Sequence, residues 1–165
     1  FNQSLDLLPS NLFFGNTLVN TNKVIIISSN NKTFLIDTET GLVLKKFNFS
    51  SNLKPIVVNN IVFLLTSNNY LIAIDLKTKN IIYSYDITNF NQLKIKNFKD
   101  NLYKDIMILN DDIYIFFKNS MVLNLDINGQ FKNYYKLPSK INTSPISIEQ
   151  SILYLNNKNR LIILN

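Results

Sequence analysis

The 165-residue sequence contains no Cys, no His and no Trp, only three Gly, and a single Arg. Zinc sites need thiolate or imidazole ligands and Ser-His-Asp triads need an imidazole base, so the chain can build neither from its own residues. P-loops and dinucleotide fingerprints need clustered glycines for close approach to phosphate, and Gly15, Gly41 and Gly129 stand far apart. The absence of Cys fits any compartment. No apolar run reaches the roughly 18 residues of a membrane-spanning helix. No basic segment followed by an apolar one marks a leader at Phe1. Residues 160–165 stop inside a strand-like run, so both ends read as cuts through a longer chain.

What is present is apolar enough to fold. Hydrophobic residues make up 46% of the chain and charged residues 17%, which suits a buried core rather than a disordered tail. Seventeen basic residues against eleven acidic ones leave a formal charge of +6. The 28 Asn and 23 Ile, with Lys replacing Arg almost throughout, follow AT-rich codons, so the charge is weak grounds for an acidic partner. Lysines spread over every part of the sequence, and Arg, the usual reader of base edges, is nearly missing; no nucleic-acid partner is expected.

Self-similarity organises the chain. Phe34-Leu35-Ile36-Asp37, Ile72-Ala73-Ile74-Asp75, Leu123-Asn124-Leu125-Asp126 and Ile162-Ile163-Leu164-Asn165 are versions of one motif, their last residues 38, 51 and 39 positions apart. Pro55 and Pro145 precede the second and fourth by the same distance. The second repeat holds four short runs rich in β-branched and aromatic residues, starting at Pro55, Ile61, Tyr70 and Ile81. They are separated by Asn59-Asn60, Ser67-Asn68-Asn69 and Leu76 to Asn80. Asn tolerates the positive φ of tight turns, so each repeat reads as a four-stranded antiparallel meander. Ile61 to Leu65 is apolar on both strand faces, so such sheets must stack. The expected fold class is all-β: a β-propeller segment of about four blades, part of a larger propeller. The expected units are 17–54, 55–105 with an inserted loop at 88–105, 106–144, and a truncated unit at 145–165.

The stretch from Tyr70 to Tyr83, and Ile36-Asp37-Thr38-Glu39-Thr40-Gly41 in the first unit, resemble the quinoprotein (PQQ-like) propeller repeat, approximately A-x-D-x-x-T-G-x-x-x-W. The short blades look most like the BamB family of outer-membrane assembly proteins. That resemblance implies a non-catalytic protein-binding scaffold at the periplasmic face of the outer membrane, with the barrel component of an assembly complex as partner. The chain departs from the pattern at the family tryptophan, where Lys45, Tyr83 and Asn133 stand, and Lys79 replaces the turn glycine. A quinone-dependent dehydrogenase of the same superfamily would look to Trp and a Cys pair that this sequence lacks. A sensory propeller in a larger signalling protein is the remaining alternative.

Two groups of residues are candidates for function. Asp37, Asp75 and Asp126 recur in every unit except the last, as a turn requires and a single active site does not. With Gly41 and Gly129 they read as structural turn residues, each Asp accepting from the following amides. Asn165 stands at that place in the last unit. Asp126 to Gly129 is similar to the start of a calcium loop, but Phe131 to Leu137 supply no later carboxylate, so no metal is expected. No cofactor and no catalytic residue are expected either. The inserted loop mixes Phe90, Phe98 and Tyr103 with Lys94, Lys96, Lys99 and Lys104, a composition suited to a protein partner, and long loops on rigid scaffolds often carry binding.

Overall fold

The computed structural model describes residues 17–164 apart from 22, 30, 52 and 91–102. These residues form four antiparallel sheets. The first is β1 (Thr17–Asn20), β2 (Val24–Ser29), β3 (Lys32–Asp37) and β4 (Val43–Phe47). The second is β5 (Ile56–Val58), β6 (Ile61–Leu65), β7 (Tyr70–Asp75) and β8 (Asn80–Asp86). The third is β9 (Tyr103–Leu109), β10 (Asp112–Phe117), β11 (Met121–Asp126) and β12 (Phe131–Lys136). The fourth has three strands, β13 (Ile146–Ile148), β14 (Ser151–Leu155) and β15 (Leu161–Leu164). Every sheet pairs its strands in chain order, so the expected all-β architecture of meander blades is observed. One difference concerns the third repeat. Its first strand opens at Tyr103, so Tyr103, Lys104 and Asp105 belong to β9 and not to the inserted loop, because Tyr103 pairs with Phe117 and its ring packs there at 5.3 Å.

The turn chemistry explains why so few glycines suffice. Asn31, Asn59, Asn69 and Asn110 all sit at φ between 52 and 66°, the left-handed region that Asn enters at low cost. Four residues after the aspartate that ends the third strand, Gly41 has φ 71°, and Lys79 occupies the same place at φ 59° despite its side chain. The shorter third turn puts Gly129 there at φ 81°. Just before each of these aspartates the ladder to the fourth strand slips, at Leu35/Ile36, Ala73/Ile74 and Asn124/Leu125. The extra residues on the outer strands are Leu44, Ile82 and Lys132.

The chain divides into two compact units, 1–87 and 88–165, each containing two of the sheets. In the first unit Val24, Ile26 and Leu35 of the first sheet pack on Val62, Leu64, Ile72 and Ile74 of the second. In the second unit Phe116 and Val122 of the third sheet pack on Ile152 and Tyr154 of the fourth. A rule of facing emerges from the registers. The earlier sheet offers the row of residues two or four positions before the end of its third strand (Leu35, Val122). The later sheet offers the row one and three before the last position of the repeat motif, Asp75 or Asn165 in sequence (Ile74 and Ile72, Leu164 and Ile162). Each fully buried Leu or Ile contributes about 1.5–3 kcal/mol. Buried hydroxyls pin the segments between sheets: Ser28 Oγ accepts from the Ser51 amide at 2.6 Å, and Ser120 Oγ from the Ile141 amide at 3.0 Å.

Candidate functional site

In each antiparallel meander the turn after the first strand and the turn after the third lie at one end of the sheet. In the first unit four such turns enclose a cleft of about 660 Å³. Its apolar lining is Val24, Leu44, Val57 and Leu76, with Thr21, Asn59 and Asn60 adding polar groups. Charge comes from Lys23, Lys77 and Lys79 against Asp37.

The backbone holds these side chains in place. Thr21 Oγ1 donates to the Val24 carbonyl at 2.8 Å and accepts from the Val24 amide at 2.9 Å, closing the turn that carries Lys23. The Leu76 amide donates to the Asn60 carbonyl at 2.8 Å, tying two of the turns together. Asp75 Oδ1 accepts from the Lys77 amide at 2.7 Å, and the Lys79 amide donates to the Asp75 carbonyl at 2.7 Å.

Asp37 differs from the lysines in how its charge is used. Its Oδ1 accepts from the amides of Glu39 and Thr40 and from the Thr40 hydroxyl, at 3.0, 2.8 and 2.8 Å. The Thr40 amide and hydroxyl hold its carboxyl below the usual carboxylate range, and the Lys77 amide does the same for Asp75. Three lysines lining a cleft together with Val24, Leu44, Val57 and Leu76 suit an anionic group attached to an apolar body.

The residues singled out by sequence are dispersed. Asp37, Asp75 and Asp126 each end a third strand and accept from amides of their own turn, Asp126 Oδ1 from Asn128 at 2.9 Å and Gln130 at 2.8 Å. Gly41 and Gly129 supply the left-handed residue in two of those turns. In the inserted segment, Phe90 packs against Phe131 with centroids 5.9 Å apart, and Tyr103 lies in β9. Lys94, Lys96, Phe98 and Lys99 lie outside the described residues, as does Asn165. Of the sequence candidates only Asp37 lines the cleft; Lys23, Asn59, Asn60, Lys77 and Lys79 were not singled out as binding residues. A signal for them existed: all lie in turns of the same parity in two successive repeats. Among the described residues no three acidic side chains come together as a metal site.

No family model and no curated protein matches the sequence. Solved structures do match in fold. The computationally designed Ika4 protein superposes with a TM-score of 0.69 at 10% identity, over 96% of this chain and 94% of its own. The designed Ika8 protein gives 0.67 at 10% identity, over 90% of this chain and 45% of its own. BamB from Moraxella catarrhalis gives 0.55 at 12% identity, over 88% of this chain and 56% of its own. The fold is therefore propeller-like, and the chain spans about half the length of Ika8 and BamB.

Proposed function

We propose that the chain is a non-catalytic scaffold that binds a protein partner through the rim cleft of the first unit. The observation that carries this reading is the pairing of three lysines with an apolar floor in a cleft held by short, hydrogen-bonded turns. The partner segment that fits is extended, with a carboxylate beside aliphatic side chains. Similarity of fold to BamB, together with the repeat motif, supports a finer reading: a component of outer-membrane β-barrel assembly acting at the periplasmic face, with the barrel component as partner. The segment from Phe90 to Tyr103 is proposed as a second contact for the same partner.

Titration of the purified chain with a fluorescent peptide carrying Asp and Leu at alternate positions tests the cleft. Binding should weaken with salt, and Lys23→Glu with Lys77→Glu should reduce affinity by about tenfold or more. Binding that ignores both salt and these substitutions would sink the proposal. Capture of a barrel-assembly component from detergent-solubilised envelopes, lost in the same variant, tests the finer reading. Deletion of 91–101 should reduce that capture while leaving the circular dichroism unchanged.

A further inference from the structure

The first two sheets form a second pocket at the end of their strands opposite the rim cleft. There the turn after the second strand of each sheet and the segment leaving β4 enclose about 320 Å³, near the lower end of the range for small-molecule sites. Its chemistry differs from that of the cleft. Among the described residues no charged side chain lines it, although the chain carries a net charge of +6. Asn31, Asn48, Ser50, Ser67 and Asn68 line it together with Phe49.

Backbone and hydroxyl bonds hold the walls in place. Thr33 Oγ1, on the first sheet, donates to the Phe49 carbonyl at 2.9 Å, and the Ser67 amide, in a turn of the second sheet, donates to the Ser50 carbonyl at 3.0 Å. The segment 48–50 is thus tied to both sheets. Thr66 Oγ1 accepts from the Tyr70 amide at 3.0 Å and closes the turn that carries Ser67 and Asn68. The half-buried Phe49 ring stacks on buried Phe47, with centroids 5.2 Å apart and planes at 25°, which sets its orientation. Asn31, Asn48 and Asn68 are exposed.

The repeat does not require this set of residues. Thr33 and Val122 each stand four residues before the turn aspartate and pair with Phe47 and Tyr135, so Asn48, Phe49 and Ser50 correspond to Lys136, Leu137 and Pro138. Asn68 corresponds to Lys158, each seven residues before the end of its repeat motif. The first unit therefore has neutral amides and an aromatic ring where the second has two ammonium groups, an aliphatic side chain and a proline. Amides and hydroxyls both donate and accept, so they match a ligand whose own hydroxyls do the same, and the face of a phenyl ring suits a flat patch of C–H groups. A pyranose ring offers both, with hydroxyls around its edge and C–H groups on its face. An anion would find no cation in this lining.

We propose that this pocket binds a neutral saccharide, with one pyranose ring against Phe49 and its hydroxyls on the side-chain amides of Asn31, Asn48 and Asn68. The inference is independent of the rim cleft, which lies at the other end of the sheets.

NMR titration of the isotope-labelled chain with maltose, cellobiose, lactose and chitobiose tests it. At least one sugar should give saturable shifts at the amides of Asn31, Phe49, Ser67 and Asn68, with a dissociation constant of about 10 mM or tighter that salt leaves unchanged. Asn48→Lys with Asn68→Lys, which puts the cations of the second unit at exposed positions, should weaken that binding by about tenfold or more without moving the thermal transition. Lys23→Glu with Lys77→Glu, in the rim cleft, should leave the sugar shifts intact. No saturable shift with any of the four sugars, or equal binding by the Asn48 and Asn68 variant, would overturn the proposal. Saturable shifts at the same amides with an uncharged Ser-Gly peptide and none with the sugars would overturn it in favour of a peptide site.

Discussion

The first and third sheets share a backbone but not a facing chemistry. Val24 pairs with Asp37 as Asp112 pairs with Asp126, Ile26 with Leu35 as Tyr114 with Asn124, and the slipped residue of the outer strand is Leu44 in one and Lys132 in the other. One sheet thus presents Val24, Ile26, Leu35 and Leu44, and the other presents Asp112, Tyr114, Asn124 and Lys132 at matching places. In the first, the four are apolar, and Val24 and Leu44 line the cleft. In the third, the Lys132 ammonium pairs with Asp112, and Asn124 Nδ2 donates to Asp112 Oδ2 at 3.3 Å. Turn geometry and ladder register tolerate either set, because they depend on backbone groups. What lies between sheets depends on the side chains that the register brings together.

Exchanging residues between the two sets should have very unequal effects. Leu35→Asn places the residue of the third sheet in a fully buried apolar site and should cost about 3–5 kcal/mol, measured by urea denaturation. The reverse change, Asn124→Leu, removes a side chain whose buried Oδ1 has no partner among the described residues. It should leave stability unchanged or raise it by up to about 1 kcal/mol. A large loss from Asn124→Leu would show that the polar set organises its sheet. A similar asymmetry holds in the turns: Gly41→Ala should cost about 1 kcal/mol through its positive φ alone, since no atom lies within 4 Å of the added carbon, whereas Lys79→Gly should gain about as much. Lys79→Gly should also weaken peptide binding in the cleft, separating the cation from the backbone effect.

The smallest effects are expected from pH, with opposite signs in the two units. Asp37 and Asp75 have folded pKa values below the unfolded value of 3.8, so their contribution is present above that value and lost as pH falls through the folded ones. Lys132 is raised by its hydrogen bond to Asp112, and burial pushes up Tyr114, Tyr134 and Tyr135. Their contribution is complete below about pH 10 and lost as pH rises through the folded values. Amide exchange at Thr40 and Lys77 should therefore rise first in acid, and at Phe131 to Tyr135 first in alkali. Equal response at both ends of the scale would break the contrast.

Much of the fold was legible because it rests on local rules. The recurring aspartates, the Asn and Gly turns and the doubly apolar run at Ile61 to Leu65 report backbone conformation, and each strand they bound is observed. The start of β9 was not legible, because nothing local separates Tyr103 from the inserted segment; its long-range partner Phe117 does. The cleft was not legible either. Lys23 and Lys77 are 54 residues apart in sequence, and each alone reads as a solvated turn lysine.

By itself, then, the sequence determined the repeat, the antiparallel blades, the turn positions and the absence of thiol and imidazole chemistry, all of which follow from residue type and short-range spacing. Tertiary structure decided which rows of side chains meet between sheets, and that Leu44 lines a cleft where Lys132 makes an ion pair. Those outcomes depend on register and on which face a neighbouring sheet occupies, and a one-residue slip in a strand would reverse them.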